Sequence, residues 1–374
     1  MKNMILSPSM SEPLNRLTLS AQVAALMRKA IQQRTWIEYL PSERRLCEYF
    51  QVSRPTIRVA LQTLAREGEV EIRHGRRVRL LGARRVMAKP QNRFVGIVTQ
   101  IPVSQSSATS QQVLSELRAQ LAAKGVASEV YFCPRAANRG GFRMVEDFLR
   151  QNRVTCCVVA GVSEAVQQWF ARRAIPALIL GSCHEAVRLP SLDVDYRSVC
   201  RHAAGILFGK GHRKIALVVM DSGLAGDLAS EQGFREGVAS HLGSGGRAKV
   251  VRHSGNAQNI TAKLDELFKS ADAPTALLVA RPRDVFAVII YLLRSGLAVP
   301  DAVSLIARDQ DDLFEAVDPL ISHYRLVENA YVPRLSRLLL KLMSEGYLPP
   351  EPTFATPAFF TGGTLRRPKL DAMH

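Results

Sequence analysis

Short apolar runs alternate with amphipathic helical patterns along the chain from residue 94 onward. The first run reads FVGIVT, the helical pattern SQQVLSELRAQLAAKG follows it, and the next short run is SEVYFC. Apolar runs of this length separated by helical patterns are typical of βαβ units in a parallel sheet. The same rhythm resumes from PALILG to AVSLIA. We therefore predict two such sheets, divided near Leu192, with the chain crossing back between them near residues 320–330.

The N-terminal part of the chain has helical patterns that do not alternate with short apolar runs. A first helix is expected from Ser20 as its N-cap through AQVAALMRKAIQQR. Within it Val23, Met27, Ala30 and Ile31 recur at helical spacing. This helix should therefore bury one apolar face.

Two further predicted helices are joined by a three-residue turn. Ser42 is expected to cap ERRLCEYF, the turn QVS follows, and Ser53 is expected to cap RPTIRVALQTLAREG. Pro55 falls in the first turn of the last helix, where its missing N–H does no harm. After Gly68, which should end that helix, EVEIR and RVRLL predict two short strands around His74. These strands would form a β-hairpin wing.

Positive charge is concentrated at the N-terminal end of the chain. Residues 1–93 contain 18 Lys and Arg against 7 Asp and Glu, and the whole 374-residue chain has a net charge of +17. Such an excess points to a polyanion, either nucleic acid or a membrane surface, with a merely solvated basic face as the alternative. The sequence has no run of about 18 apolar residues and no signal-peptide pattern. We therefore expect a cytoplasmic protein without a membrane partner.

The last predicted helix of the N-terminal part carries basic side chains at its beginning. Arg54, Thr56 and Arg58 lie at its N-terminal end, in front of an apolar stripe. An arginine fork can bond guanine O6 and N7 in the major groove, and a helix N-terminus favours a phosphate. Tandem short helices also occur in packed proteins that bind no DNA. The added charge and wing favour DNA binding.

The segment PSERRLCEYFQVSRPTIRVALQTLAREGEVEIRHGRRVRL closely resembles the N-terminal domain of the GntR family of bacterial regulators. The resemblance spans about residues 17–80, and PSER, VSRPTIR, LAREG and the wing tip HG are its most specific parts. It implies a winged helix-turn-helix over residues 15–82, and we assign residues 83–93 to a linker.

The resemblance also implies roles for individual residues at a DNA interface. Bases or phosphates would be contacted by Arg44, Arg54 and Arg58, the DNA backbone by Thr56, and the minor groove by His74 and Gly75. The neighbouring residues that complete the predicted interface are Ser53, Arg45, Arg76 and Arg77. For the three arginines of this second set, phosphate contacts or solvated charges are expected rather than base reading.

Residues 94–374 resemble the effector-binding region of the LacI/GalR family, a fold shared with periplasmic sugar-binding proteins. The segments that carry the resemblance are LPSLDVDY, GKGHRKIALV, QGFREGV, SLIARDQDD and TGGTLRRP. The resemblance implies two lobes with a ligand between them, at the C-terminal ends of the strands. The expected fold class is α/β, with an N-terminal winged helix-turn-helix and a two-lobed periplasmic-binding-protein-like domain built on parallel sheets.

Several positions depart from the LacI/GalR pattern. Ser230 stands where the family usually has an arginine, three residues before the Gly-Phe pair. Ala307, Arg308 and Asp309 stand in place of the usual Gly-Phe-Asp. ARPRD, residues 280–284, replaces a usual Asn-Asp pair. The scaffold is kept while the sugar contacts are changed, so the effector need not be a simple sugar.

Residues that directly follow strands are the candidates for the cleft. They are Gln100, Gly161, Ser182, Asp221, Arg281 and Asp309. For each of them a loop-capping or solvated role is the alternative. A carboxylate at Asp309 suits a hydroxyl-rich ligand and a guanidinium at Arg281 suits an anionic group, so a sugar or an anionic sugar derivative is expected. Asp195 is expected to cap a helix, and His212 to lie at a helix-to-strand turn.

No enzyme signature is found in the sequence. It contains no GxxxxGK[ST] loop, no GxSxG elbow and no HExxH pair, and its six cysteines lack zinc-site spacing. We expect no catalytic residue, metal or cofactor. The predicted function is a homodimeric transcription regulator that binds a roughly palindromic operator and responds to an effector in the cleft. The alternative is a basic architectural DNA-binding protein whose C-terminal region only dimerises.

Overall fold

The computed structural model divides the chain into two compact units, residues 1–86 and 87–374. The structure describes residues 18–32, 36, 39–67, 69–72, 77–80, 93–134, 139–173, 175–241, 243, 245–326 and 331–368. Apart from Arg93, the predicted linker over residues 83–93 lies outside these ranges.

The first unit consists of three helices followed by a small antiparallel hairpin. Its elements are α1 (Leu19–Gln32), α2 (Glu43–Phe50), α3 (Arg54–Arg66), β1 (Val70–Glu71) and β2 (Arg79–Leu80). In the hairpin Val70 pairs with Leu80. Apolar residues of all three helices meet in one core, where Met27, Leu46 and Ile57 are fully buried. This is the predicted winged helix-turn-helix.

The start of α1 differs from the prediction. The helix begins at Leu19, because the hydroxyl of Thr18 accepts a hydrogen bond from the backbone N–H of Ala21 at 3.3 Å. Ser20 therefore lies inside the first turn instead of capping it. The inward stripe is nearly as predicted, with Ala30 only half-buried.

The starts of α2 and α3 lie where the sequence predicts them. The hydroxyl of Ser42 accepts a hydrogen bond from the backbone N–H of Arg45 at 3.4 Å. Ser53 is the N-cap residue of α3, but its hydroxyl lies 2.8 Å from the hydroxyl of Thr56 and caps no backbone N–H. The predicted end of this helix at Gly68 lies outside the described residues.

Lobe 1 of the second unit is a six-stranded, fully parallel sheet covered by helices. Its N-terminal elements are β3 (Phe94–Thr99), α4 (Ala108–Ala123), β4 (Ala127–Phe132), α5 (Arg139–Gln151), β5 (Cys156–Ala160), α6 (Glu164–Ala171), β6 (Ala177–Leu180) and β7 (Ser191–Val194). The buried Val and Ile residues of β3 and β5 form its centre, as expected for strands covered on both faces.

Lobe 2 repeats this architecture. Its elements are α7 (Tyr196–Gly209), β8 (Lys214–Met220), α8 (Ala225–Ala239), β9 (Arg247–His253), α9 (Ala257–Phe268), β10 (Ala276–Val279), α10 (Pro282–Arg294), β11 (Ser304–Ala307) and β12 (Ser322–Arg325). Asp195 caps α7 by accepting a hydrogen bond from the backbone N–H of Ser198 at 3.0 Å, as predicted. His212 lies between α7 and β8 and bonds Thr275 and the carbonyl of Arg366, so its ring is structural.

The C-terminal part of the chain passes between the lobes twice more. α11 (Tyr331–Glu345) and β13 (Pro352–Ala355) belong to lobe 1, and β14 (Ala358–Phe360) returns to lobe 2. The strand order is β13–β7–β6–β5–β3–β4 in lobe 1 and β14–β12–β11–β10–β8–β9 in lobe 2. β14 pairs antiparallel with β12, which the sequence did not predict. The divide between the sheets falls after Val194, close to the predicted Leu192.

Gly233 allows the closest helix contact in lobe 2. A Cβ atom at this position would lie 1.9 Å from the carbonyl oxygen of Arg197 on α7, far inside van der Waals contact. The next residue, Phe234, is fully buried between the helices and the sheet. The QGFREGV motif therefore joins α7 to α8 by close packing.

Candidate functional site

The N-terminal end of α3 presents basic side chains on the surface of the first unit. Arg54 and Arg58 are exposed, and Thr56 is half-buried beside them. The opposite side of the helix consists of the predicted apolar stripe, with Ile57, Ala60, Leu61 and Leu64 all buried. The helix is anchored along one face, and its basic end is accessible to a macromolecular partner.

Two of the predicted contact arginines are paired with carboxylates. Arg58 Nε lies 3.1 Å from Glu43 Oε2 at the start of α2, and Arg44 Nε lies 3.2 Å from Glu48 Oε1 one turn along α2. Exposed pairs of this kind contribute about 0–1 kcal/mol, so a phosphate or base can replace the carboxylate at little cost. The pairs keep both arginines oriented without holding them tightly.

The remaining predicted interface residues fall into two groups. Arg45, Ser53 and Arg77 are described and exposed, as is Arg54, and no described carboxylate forms an ion pair with Arg45 or Arg54. The wing-tip predictions, His74, Gly75 and Arg76, lie outside the described residues.

A cavity of about 850 Å³ lies between lobe 1 and lobe 2. Four predicted effector residues line it, with Gly161 and Ser182 in lobe 1 and Arg281 and Asp309 in lobe 2. The strands of both sheets end at this cleft, which is the usual ligand position in open parallel α/β sheets. Its volume is suited to a small organic molecule.

Two predicted effector residues do not line the cleft. The side-chain oxygen of Gln100 accepts a hydrogen bond from the backbone N–H of Ser163 at 2.7 Å, so it fixes the loop before α6. Asp221 follows β8 but is exposed, and its backbone N–H is bonded to the carbonyl of His253. Both residues follow strands, but their loops direct them away from the cavity.

Asp227 is the centre of a charged network in lobe 2. Its Oδ2 lies 2.6 Å from Arg281 Nη2 and its Oδ1 lies 3.3 Å from Arg308 Nη1. The hydroxyl of Ser222 donates to Oδ2 at 2.5 Å. Burial would raise the pKa of Asp227, but the two guanidinium groups and this hydroxyl outweigh burial and lower it. Asp227 is therefore a carboxylate whose charge is matched by arginine.

Arg308 connects this network to the boundary between the lobes. Its Nη1 donates to the hydroxyl of Ser230 at 2.7 Å, and its Nη2 lies 2.7 Å from Asp309 Oδ2. Its guanidinium carbon lies 4.0 Å from the centroid of the Tyr196 ring, and the side chain is only 5% exposed. The position where the family resemblance expects an arginine, Ser230, thus receives a guanidinium from a distant segment of the chain.

Asp193 is the buried cleft carboxyl in lobe 1. The hydroxyl of Ser182 donates to its Oδ2 at 2.5 Å, and no ion pair joins Asp193 to any described Arg or Lys. Burial raises the pKa of Asp193 to about 6, the negative charge of Asp309 adds to the rise, and Ser182 and Arg308 oppose it. The two lobes therefore place carboxyl groups within electrostatic reach of each other.

Sequence reasoning missed several of these cleft residues for identifiable reasons. Asp193 lies inside a strand and Asp227 inside the first turn of a helix, whereas the strand pattern points only to residues directly after strands. Tyr196 begins α7 and gave no signal of its own. Arg308 was noticed only as a departure from the family pattern.

Metal and membrane signals are absent from the described part of the chain. No cluster of three or more His, Cys, Asp or Glu residues within these ranges is arranged to hold a metal ion. The helices in the same ranges are too short or too polar to cross a bilayer.

Comparison with known proteins assigns both parts of the chain. Residues 19–80 match the family model "Bacterial regulatory proteins, gntR family", and residues 204–365 match the "Periplasmic binding protein-like domain" model. The HTH-type transcriptional repressors NanR of Enterobacter sp. (strain 638) and Escherichia coli (strain K12 / DH10B) are each 43% identical, over 70 and 72 residues. These matches cover 18% and 19% of this chain and 27% of each repressor. The chain therefore spans about a quarter of the length of these relatives.

Solved structures resemble the second unit in fold. A LacI family transcriptional regulator from Mycobacterium smegmatis aligns with a TM-score of 0.61 at 20% identity, over 74% of this chain and 100% of its own. A transcriptional regulator CelR–cellobiose complex aligns with a TM-score of 0.64 at 17% identity, over 84% of this chain and 92% of its own. The chain is a GntR-type winged helix-turn-helix domain joined to a periplasmic-binding-protein-like domain with the fold of LacI-family regulators.

Proposed function

We propose that this chain is a sequence-specific DNA-binding transcription regulator whose operator affinity is controlled by a small molecule bound between lobes 1 and 2. The observation that carries the proposal is the presence in one chain of a winged helix-turn-helix with an exposed basic end on α3 and a two-lobed domain with a cleft that contains charged side chains. The relatives matched by the first unit are named repressors, which supports the same role here.

DNA recognition in this proposal follows from the side chains at the start of α3. Arg54 and Arg58 read guanine in the major groove, because their guanidinium groups are exposed at the end of a helix anchored by its other face. Arg44, Arg45 and Thr56 contact phosphates and fix the register. Two copies of the unit in a homodimer would bind a roughly palindromic operator.

Effector control follows from the fact that the cleft has residues of both lobes in its walls. A ligand that contacts Ser182 in lobe 1 and Arg281 or Asp309 in lobe 2 binds one arrangement of the lobes better than others. In a dimer, a change in lobe arrangement alters the spacing of the two α3 helices. A sugar or sugar derivative is the proposed class, supported by the cellobiose complex among the structural neighbours.

The DNA part of the proposal is tested by selecting random duplexes on the purified full chain. We expect a consensus of two related half-sites and much weaker binding to a scrambled duplex, measured by fluorescence anisotropy. If no consensus emerges and all duplexes bind equally, the chain is a basic architectural DNA-binding protein and not a specific regulator.

The effector part is tested by measuring operator binding while small molecules are added. A true effector should change operator affinity in the parent, and Asp309→Ala should weaken its binding by about tenfold or more. The operator affinity of ligand-free Asp309→Ala should equal that of the parent. If no small molecule that binds the cleft changes the operator affinity, effector control is wrong and the second unit serves only for dimerisation.

A further inference from the structure

Ion pairs along the cleft are found in lobe 2, whereas the cleft carboxyl of lobe 1 forms none with a described residue. The described side chains that line it include three arginines, at 281, 283 and 308, and four aspartates, at 193, 227, 309 and 311. If all of them are ionised, the cleft carries no excess positive charge. A ligand is therefore selected by which of these groups still lacks a partner of opposite charge.

Two of the three arginines that line the cleft are already matched, whereas Arg283 is exposed and forms no ion pair with a described carboxylate. Arg281 is paired with Asp227, and Arg308 is paired with Asp227 and Asp309. At Arg281 or Arg308 an anionic ligand group would have to compete with Asp227 and Asp309, both of which pair with Arg308. From the sequence, the charge of Arg281 was expected to attract an anionic effector. Because Arg281 is paired with Asp227, its charge does not favour an anionic ligand.

Asp193 is in the opposite situation. It is 6% exposed and lines the cleft, and its carboxyl group is bonded by two neutral groups, the hydroxyl of Ser182 and the backbone of Val194. An ionised carboxylate that is buried without an ion-pair partner loses solvation free energy that its hydrogen bonds to neutral groups only partly restore. Asp309 on the other lobe adds a repulsive negative charge, and Arg308, which is paired with Asp227 and Asp309, opposes it from a distance without forming an ion pair with Asp193.

We propose that the effector carries a cationic amine that binds the carboxylate of Asp193, within the cleft assigned above to effector binding. An ammonium group donates hydrogen bonds, as a hydroxyl does, and in addition compensates the negative charge of Asp193, which a hydroxyl cannot do. Apolar cleft residues such as Leu114 and Phe286 are available to the body of the ligand. This inference rests on the proposed effector function and narrows its ligand class.

The test uses matched probes that differ in charge on one scaffold. D-glucosamine, D-galactosamine and D-mannosamine are compared with D-glucose, D-galactose and D-mannose, and with D-glucuronate and D-galacturonate. Putrescine represents an amine without a sugar ring. Binding of each probe to the full chain is measured by isothermal titration calorimetry at millimolar ligand. At least one amine is expected to bind at least about tenfold more tightly than its hydroxyl counterpart.

Matched variants locate the contact. Asp193→Asn keeps the shape and the Ser182 hydrogen bond but removes the charge, so it should weaken amine binding by about tenfold or more. Asp195→Asn makes the same change two residues away, outside the cleft lining, and asparagine preserves the cap of α7. Amine binding to this control should match the parent.

The proposal is overturned if only neutral or acidic probes bind, if no amine binds, or if Asp193→Asn binds the amine as tightly as the parent. Comparing each amine with its hydroxyl counterpart on the unmodified chain decides the matter even if a variant misfolds. Because calorimetry is done without DNA, it tests amine binding independently of the proposed DNA-binding function. A chain that binds an amine but no operator contradicts the regulator and not the amine site.

Discussion

The guanidinium of Arg308 lies over the ring of Tyr196, with its central carbon 4.0 Å from the ring centroid. Tyr196 is the first residue of α7, directly after the chain has passed from lobe 1 into lobe 2, and Arg308 follows β11. A cation held over an aromatic face in a buried site is stabilised by about 2 kcal/mol or more. The contact fixes the arginine that holds Asp227 and Asp309, so one stacking interaction at the lobe boundary orders much of the cleft.

Arg308→Met is expected to destabilise the second unit by on the order of 3 kcal/mol, because it removes the buried guanidinium that bonds Asp227, Ser230 and Asp309 and leaves Asp227 with Arg281 alone. The measurement is urea unfolding of the full chain, followed through the transition of the larger unit. Arg366→Met is the matched control, since Arg366 pairs with Asp301 at an exposed site and its loss should cost about 1 kcal/mol or less. Equal effects of the two substitutions would show that the buried network adds nothing to stability.

Asp193→Asn is expected to stabilise the second unit at neutral pH but not in acid. Burial raises the folded-state pKa of Asp193 from its ordinary 3.8 to about 6, so between these values the folded protein keeps a proton that the unfolded chain has released. The parent therefore loses stability as pH rises through this window, and the loss is complete above about pH 6. The variant should exceed the parent by about 1–3 kcal/mol at pH 7.5.

The same pair of proteins should differ little in their free energy of unfolding at pH 4, where the parent carboxyl is protonated in the folded state. Thermal or urea unfolding at both pH values provides the comparison. If the free energy of unfolding depends on pH in the same way in parent and variant, the pKa of Asp193 is not raised in the folded protein.

Arg54→Ala and Arg58→Ala are each expected to weaken binding to the selected operator by about 1–3 kcal/mol, with the loss largest for the base pair that the arginine reads. Arg66→Ala is the control, because Arg66 is exposed in the last turn of the same helix, away from its basic start. Fluorescence anisotropy on operators with single base-pair changes measures both affinity and specificity. If Arg66→Ala has the larger effect, α3 binds DNA in another orientation.

Gly233→Ala is expected to destabilise lobe 2 by about 1–3 kcal/mol or more, since its Cβ would overlap the carbonyl oxygen of Arg197 at 1.9 Å. Gly205→Ala on α7 should instead stabilise lobe 2 by about 1 kcal/mol or less, because alanine favours a helix over glycine. No neighbouring atom lies within 4 Å of the Cβ added there. Thermal unfolding of both variants checks the pair. A neutral Gly233→Ala would contradict the close α7–α8 packing.

Elements whose signal is local were predictable from the sequence. The run FVGIVT became β3 because a short apolar run rich in β-branched residues favours a buried strand. The stripe from Ile57 to Leu64 became the buried face of α3 because its spacing follows the helical period. The caps at Ser42 and Asp195 were predictable because the capping oxygen and the N–H it accepts from lie three residues apart. The motifs of both domains were likewise readable in single segments.

The charged groups of the cleft were decided by tertiary structure. Arg308 meets Asp227 and Ser230 across about 80 residues of chain, and no local period marks such a meeting. Gln100 and Ser182 both follow strands of lobe 1, yet only Ser182 lines the cleft, because loop conformation sets where a side chain points once a strand has ended. Sequence thus determined many strands and helices as far as β11 and the edge at which a ligand would lie, but not the antiparallel β14. Which carboxylates there are matched by arginine, and that Asp193 has no such partner among the described residues, followed only from the packing of the two lobes around one cavity.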